Sequence, residues 1–579
     1  MPVDLPRTLR RGSKALPWGI TIVILVFSVL AFGAASLTRE GNVEGLYPWQ
    51  IDKLRDWLTI SGAWLAFVGL VFPVVYLSLD CVGRSSASVA PRQSGFRLGA
   101  LVLSLCIAGN IVAYGWLACE RHHRFNSTGY DLAIQEQVVW NTLHGRFFAT
   151  SLEVGNMFAD HFQPLVLALV PLYALFPSSC LLLWAQTIGL GIGALPLYQL
   201  AQRRLKNTGL ALAAAVVYLL YPAVGFINRF DFHPEALAVP AFLFAFDALD
   251  RDALKAASLW LLVPLLSKEN LGFSVAAFGI YAAIVRRRMR FGLVWTVVGL
   301  AVSGVTMFWL IPMLRQGPSD TLARYVWLGE TPGQMLWVLI SRPQYVWENL
   351  ANLSRGLYLL QLLAPTGFLA LLGLPELSLA APGFVINLLA QHHCQARIYC
   401  QYTAPIVPFV FVATVGGLQR LGHFLGHRRA WCIIGLAVVP LSILVLRIDN
   451  PFTEARDVPG ALAQLPNREA VVRALAFVPP GLSVVTTNAY APHLSQREEL
   501  YVMGIPTQRD PPLDPDVVFV NLYDQRFMVC DQYRDYFAQL NIDRYGVIFR
   551  DSGMIVVQRD GGSNEGFRDF LLNWTDCAG

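Results

Sequence analysis

The chain has 579 residues, 55% of them hydrophobic and only 14% charged, with a formal net charge of +5. Soluble domains carry about 25% charged residues, so this chain cannot give several globules a polar surface. Its long apolar runs and mean hydropathy of +0.47 mark a multi-pass membrane protein, which excludes disordered, fibrous and secreted disulfide-scaffold classes; the charge is too slight to imply a nucleic-acid partner.

The first apolar run, 18–36, follows Arg7, Arg10, Arg11 and Lys14. It is too long for a signal-peptide core and lacks a small-residue cleavage site, so it reads as a retained helix with a cytoplasmic N-terminus. A second run, 59–79, returns to a basic loop with Arg84 and Arg92, and a third, 98–117, leads out to a polar and aromatic outer loop, 118–160. The stretch 163–176 is shorter than a span and reads as re-entrant on the outer side, which makes 180–200 the fourth span. Further spans are expected at 208–226, 236–249, 256–270, 271–285, 291–313, 356–374, 376–390, 402–420 and 430–447. The total is about thirteen, N-in and C-out. Every later basic loop then falls inside: Arg203/Arg204/Lys206, Arg251/Lys255, Arg286/Arg287/Arg288/Arg290 and Arg420/Arg428/Arg429. A second outer loop, 314–355, carries Tyr325, Trp327, Trp337, Tyr345 and Trp347, residue types that belong at headgroup level.

After Arg447 short β-rich runs appear at Leu482–Thr486, Val517–Val520, Gly546–Phe549 and Met554–Val557, with helix-like segments at 459–476, 528–540 and 565–573. This alternation predicts an extracytoplasmic α/β domain over 451–579. Of the nine cysteines, Cys81, Cys106, Cys180 and Cys432 fall in or beside apolar runs and read as small core residues. Cys119, Cys394, Cys400, Cys530 and Cys577 share the outer face, where a Cys530–Cys577 bridge is open to an oxidising compartment.

Ionisable residues inside or at the mouth of a membrane bundle are costly, so each is a functional candidate. They gather on the outer side. Asp131 opens a segment whose apolar residues at 132, 134, 138, 139 and 143 suit a surface helix; a carboxylate there either caps that helix or serves chemistry. His161 begins the re-entrant run, Arg229, Asp231, His233 and Glu235 crowd one inter-helix link, and Lys268-Glu269 interrupts the apolar stretch 256–285. A solvated turn and a hairpin-tip ion pair are the plain alternatives for these two groups. His392 and His393 end another span. Neither His233/Glu235 nor His392/His393 has the i, i+4 spacing of a helical zinc site, so a divalent metal is weakly signalled. No phosphate-binding Gly-rich loop and no Gly-x-Ser-x-Gly elbow is present, which argues against ATP-driven transport and serine-hydrolase chemistry.

The ordered set Tyr130-Asp131-Leu132, Gln137-Val138-Val139-Trp140-Asn141, His161-Phe162-Gln163-Pro164, Phe232-His233-Pro234-Glu235 and Lys268-Glu269-Asn270 resembles the bacterial membrane family known as domain of unknown function 2079. Pro492-His493-Leu494-Ser495 and Arg497 fit it as well, so the resemblance runs from about 110 to 560. That family in turn resembles the GT-C glycosyltransferases, such as protein O-mannosyltransferases and the aminoarabinose transferase of lipid A. The resemblance implies a GT-C-like helical bundle over 97–450, preceded by two extra helices within 1–96, in a bacterial inner membrane with its active face extracytoplasmic. It also implies an inverting transfer of sugar from a polyprenyl-phosphate donor to an acceptor hydroxyl on a glycan, lipid or protein. In that reading Asp131 is the general base, and His161, Lys268, His233 and Arg229 face the donor phosphate, with Glu235 and Glu269 orienting them. No Asp-x-Asp pair follows Asp131 within the loop 118–160. The other readings are a polyprenyl-lipid or solute transporter or flippase, and a non-catalytic assembly factor. Charges at the outer mouth, and the absence of an inverted repeat, argue against the transporter.

Overall fold

Apolar runs wind into helices, and among the described residues five are long and apolar enough to cross a membrane: Leu98–His123, Ser179–Leu205, Thr208–Arg229, Met289–Arg315 and Leu369–Leu389. The computed structural model describes residues 24–31, 33–35, 48–82, 93–317, 320–392, 394–425, 428–453, 462–504, 511–562 and 566. The readings placed on Arg7, Arg10, Arg11, Lys14, Arg84, Arg92, His393, Cys577 and almost all of the 565–573 helix lie outside these residues.

In chain order the helices used below are α1 (Pro48–Val82), α2 (Gln93–His123), α3 (Ile134–Leu143), α4 (Ser179–Leu205), α5 (Thr208–Arg229), α6 (Ala238–Asp250), α7 (Leu254–Ser267), α8 (Leu271–Ile284), α9 (Met289–Arg315), α10 (Pro332–Ser341) and α11 (Pro343–Leu350). α5 bends at Tyr221-Pro222, where proline has no N–H to give to the helix. The run at 163–176 is no single helix: a 3-10 stretch over Pro164–Leu169 passes into one helical turn over Val170–Leu175, as its two prolines dictate. α8 and α9 pack most closely. Gly272 and Gly279 on α8 face Gly299 and Gly292 on α9, and a Cβ on Gly272 would sit 2.4 Å from the Gly299 carbonyl oxygen. Only glycine allows backbones this near. α10 and α11, in the loop 314–355, bury no residue, and Trp337 and Trp347 are about two-thirds exposed at 67% and 69%. Such faces suit the aromatic layer of a bilayer.

The end of the bundle at Leu205 gathers charge. Arg204 pairs with Asp250 at 2.9 Å and Glu376 at 3.0 Å, Arg420 with Glu376 at 2.8 Å, and Arg203 and Arg251 both pair with Asp247. The basic loops expected on one face do share one end, each tied to an acidic partner. α4 is 27 residues long, so its opposite end, at Ser179, lies about 40 Å away.

At that opposite end sits the α/β domain. A small hairpin, β1 (Ala149–Thr150) with β2 (Gly155–Asn156), lies in the outer loop. The domain sheet then runs β3 (Val484–Thr487), β4 (Leu500–Met503), β5 (Val517–Asn521), β6 (Tyr545–Asp551) and β7 (Met554–Arg559), in the order β4-β3-β5-β7-β6. β4, β3 and β5 are parallel, while β7 is antiparallel to β5 and β6. Both faces are covered, so alternate residues serve different cores. Val484, Val502, Phe519 and Val556 join Leu132, Val138 and Tyr173 of the outer-loop region. Val485, Val518, Val520 and Val557 join Tyr533 and Phe537 of the helix Cys530–Gln539. Each such side chain contributes roughly 1.5–3 kcal/mol by burial, so the domain is fused to the loop that carries Asp131.

The cysteines correct one reading. Cys180, expected as a small core residue, is bridged to Cys119, with Cα atoms 5.5 Å apart, and Cys394 is bridged to Cys400. Cys180 opens α4 and Cys119 lies near the end of α2, so the two helix ends meet at the face where oxidation was expected. Cys530 is also disulfide-bonded.

Candidate active site

Asp131 sits in a π-turn, Gly129–Ala133, that leads into α3. The cap position belongs to Thr128, so Asp131 does not end the helix itself. The Thr128 hydroxyl lies 2.7 Å from Asp131 Oδ2 and 2.9 Å from Asp231 Oδ2. It carries one hydrogen and donates to one of them at a time. Asp231 also accepts the Thr128 N–H at 2.8 Å and pairs with Arg121.

His233 stands on the other side of Asp131. Its Nε2 is 3.1 Å from Asp131 Oδ1, its Nδ1 is 3.3 Å from the Asp231 carbonyl oxygen, and its backbone N–H donates to Gln186 at 2.8 Å. Both ring nitrogens face acceptors, which suits an imidazolium. Burial opposes that charge, but the Asp131 bond and charge, with Glu235 behind it, hold the His233 pKa above its ordinary value. Burial likewise pushes the Asp131 carboxyl up; His233, Thr128 and Arg121 outweigh it and hold Asp131 below the ordinary carboxylate range.

The pattern repeats further along. Lys268 Nζ bonds Glu235 at 2.8 Å and lies over the Tyr402 ring, 5.5 Å from its centroid. Glu269 accepts from His161 Nδ1 at 3.1 Å and from the Phe162 N–H at 3.0 Å. His161 Nε2 meets Asp160 at 3.3 Å, and Asp160 meets Arg315 at 3.5 Å. Glu269 thus lies between two cations, His161 and Lys268. One charged chain therefore runs Arg121, Asp231, Asp131, His233, Glu235, Lys268, Glu269, His161, Asp160, Arg315, alternating in sign except where the carboxylates of Asp231 and Asp131 meet at the Thr128 hydroxyl. Desolvating each ion costs several kcal/mol, and apolar packing of the same volume is often as stable. Such a chain is therefore kept for what it does more than for stability. Its open members are Asp131, His161 and Asp160, with side chains 23%, 21% and 17% exposed, while Asp231, Glu235, Lys268 and Glu269 are below 10%.

Six of the seven residues singled out from sequence, namely Asp131, His161, His233, Glu235, Lys268 and Glu269, meet in this chain. Arg229 does not: its Nη1 donates to the Thr453 carbonyl at 2.8 Å, toward the segment that follows the bundle. Asp231, Arg121, Asp160 and Arg315 are additions. Asp231 and Asp160 stood inside stretches already marked by their ionisable residues, whereas Arg121 and Arg315 close apolar helices and carry no local signal.

Beside Lys268 three buried acceptors have no donor among the described residues: Glu235 Oε2, Asn270 Oδ1 and Gln401 Oε1. They line one small polar cavity with Tyr402 and Asn387. Ile386 is common to that cavity and to an apolar groove of about 780 Å³, which follows α8 past Phe273, Ala277, Ile280 and Ile284. Among the described residues no three His, Cys, Asp or Glu side chains converge as metal ligands.

No curated protein sequence matches the chain. Among solved structures, the crystal structure of ArnT from Cupriavidus metallidurans bound to undecaprenyl phosphate is similar, at 12% identity and a TM-score of 0.45, covering 78% of this chain and 97% of that one. The oligosaccharyltransferase of Archaeoglobus fulgidus in its apo form is similar at 11% identity and a TM-score of 0.41, covering 76% and 73%. The family model described as "Predicted membrane protein (DUF2079)" matches residues 121–556, which hold the whole charged chain and the domain sheet up to Val556, and the chain belongs to that family.

Proposed function

We propose that this protein is a membrane glycosyltransferase that moves a sugar from a polyprenyl-phosphate donor to an acceptor hydroxyl, with inversion, using Asp131 as the general base. The observation that carries the reading is the partly open Asp131 carboxylate, held ionised by His233 at 3.1 Å. It belongs to the same charged chain as Lys268, whose polar cavity adjoins an apolar groove.

The reaction balances simply. The acceptor O–H gives its proton to Asp131, the acceptor oxygen bonds the anomeric carbon, and the anomeric C–O bond breaks with its electron pair leaving on the polyprenyl phosphate. A carboxylate below its usual range is a weak base, so positioning and electrostatics supply most of the acceleration. Lys268 spends one N–H on Glu235 and keeps two for a phosphate oxygen; His161 is the second cation, and it is open to solvent. The three unpaired acceptors beside Lys268 line a cavity of about 10 Å³, room for a single water that would donate to them. The polyprenyl tail would lie in the groove along α8, and the exposed aromatics of α10 and α11 would rest on the bilayer surface. The arginine-rich end of the bundle supports a bacterial cytoplasmic membrane location, with the site on the extracytoplasmic face.

Mass spectrometry of lipid extracts tests this in wild type, a deletion strain, and the deletion carrying Asp131→Asn. One polyprenyl-phosphate sugar should accumulate in both mutant strains. An Asp131→Asn strain indistinguishable from wild type, beside a deletion that differs, would remove Asp131 from the chemistry.

A further inference from the structure

The motif Pro492-His493-Leu494-Ser495 with Arg497 plays no part in the charged chain. It lines a second cavity, of about 410 Å³, at the seam between the α/β domain and the bundle. Pro177–Ser179 at the start of α4, the stretch 475–480 that ends the helix Arg468–Leu475, and 492–497 wall it, together with His122 and Glu136. The volume is within the range of small-molecule sites.

Arg497 is the exceptional group. It is 6% exposed, and its Nε and Nη1 donate to the Leu494 and Leu482 carbonyls at 2.6 and 2.9 Å. No carboxylate among the described residues pairs with it, and its Nη2 has no hydrogen-bond acceptor among them. Glu136 also lines the cavity, but its two oxygens are engaged by Tyr173, Ser179, Ser495 and Gln496. The neighbouring His493 is stacked on His122 with ring centroids 4.1 Å apart, and its Nε2 is directed at the His122 carbonyl, 3.0 Å away. Burial drives the His493 pKa down to about 3, so this ring brings no charge. A buried guanidinium without a counter-ion costs several kcal/mol unless something else pairs with it, and this one borders an open cavity.

We infer that the cavity is a second ligand site, separate from Asp131, in which Arg497 binds the oxyanion of a small polar molecule. The planar fork of a guanidinium is the group best shaped for a carboxylate or phosphate, so the class is a phosphate or a sugar carboxylate. The inference does not depend on the glycosyltransferase reading.

The test is calorimetric titration of the purified full-length protein in detergent with inorganic phosphate and, separately, with glucuronate, against sodium chloride at matched ionic strength. Saturable binding of one probe with a Kd of about 1 mM or tighter is expected. It should weaken at least about tenfold in Arg497→Gln, and equally in Val478→Trp, which enlarges another lining side chain into the cavity and leaves Arg497 in place. Arg473→Gln, which removes an exposed guanidinium paired with Asp551, should bind like wild type. Binding of phosphate alone assigns the phosphate class, and of glucuronate alone the carboxylate class. Absence of saturable binding by either probe overturns the site, as does unchanged binding in folded Arg497→Gln or Val478→Trp.

Discussion

At the scale of single residues, the pair Asp131–His233 makes the sharpest predictions. Asp131→Asn should lower turnover by about 10²–10⁴-fold, the usual worth of a general base, and, because it leaves the His233 imidazolium without its partner, should also lower the melting temperature below the folded His233 pKa. His233→Gln removes the cation that favours ionised Asp131, so the Asp131 pKa should rise and the acid limb of the pH–rate profile should move to higher pH. Stability has its own sign. The folded His233 pKa lies above the ordinary value of about 6.5, so the pair's contribution is full below that value and is lost as pH rises through the folded pKa. Asp131, held below about 3.9, adds stability above that value which is lost as pH falls through its folded pKa. The difference in melting temperature between wild type and His233→Gln should therefore be larger at pH 5.5 than at pH 9; equal differences would show that the pair is not charged. Asp131, His161, His233, Glu235, Lys268 and Glu269 were legible because charge beside an apolar run is costly and therefore conspicuous. Arg121 was not: its partner Asp231 is 110 positions away, and an arginine ending a helix looks like an ordinary solvent anchor.

Among elements, the α8–α9 contact is the most sensitive to substitution. Gly279→Leu would drive its side chain into Gly292 and Thr296 backbone atoms lying 2.5–2.6 Å from the Cβ position. Overpacking of this kind costs about 1–3 kcal/mol or more, whereas Gly304→Ala, with nothing within 4 Å, should be nearly neutral; denaturation midpoints in detergent check both. Because Lys268 and Glu269 immediately precede α8, the Gly279 variant should also lose activity. The Cys119–Cys180 bridge closes a separation of 61 residues, worth about 4 kcal/mol in the chain-entropy account. Reduction, or replacement of both cysteines by serine, should lower the unfolding midpoint accordingly. Four of the five domain strands were readable from β-branched runs. β4 was not, because Leu500-Tyr501-Val502-Met503 follows Arg497-Glu498-Glu499, closes at Gly504 and is too short to show alternation. The glycine contact was invisible for a different reason: glycines seven apart signal a close approach only once the facing helix is known.

For the whole molecule, the governing feature is where the α/β domain is seated. That seat could not be read from sequence, since its bonds join positions as far apart as Glu136 and Ser495, separated by 359 residues at 2.6 Å. Glu136→Ala should strand the buried Tyr173 hydroxyl, at a cost of about 1–3 kcal/mol, and leave those of Ser179 and Ser495 only the Pro492 carbonyl. Amide hydrogen exchange should then quicken in α3 and in 491–497 while β5 stays protected.

The same joint has a mechanical meaning. Glu136 lies little more than one helical turn beyond Asp131 and is gripped from below by Tyr173 and Ser179 and from above by Ser495 and Gln496. The domain is thus a handle on the short helix that aims the carboxylate. An antibody fragment clamping the domain's outer surface, far from any substrate, would twist that handle and slow turnover while leaving donor affinity intact.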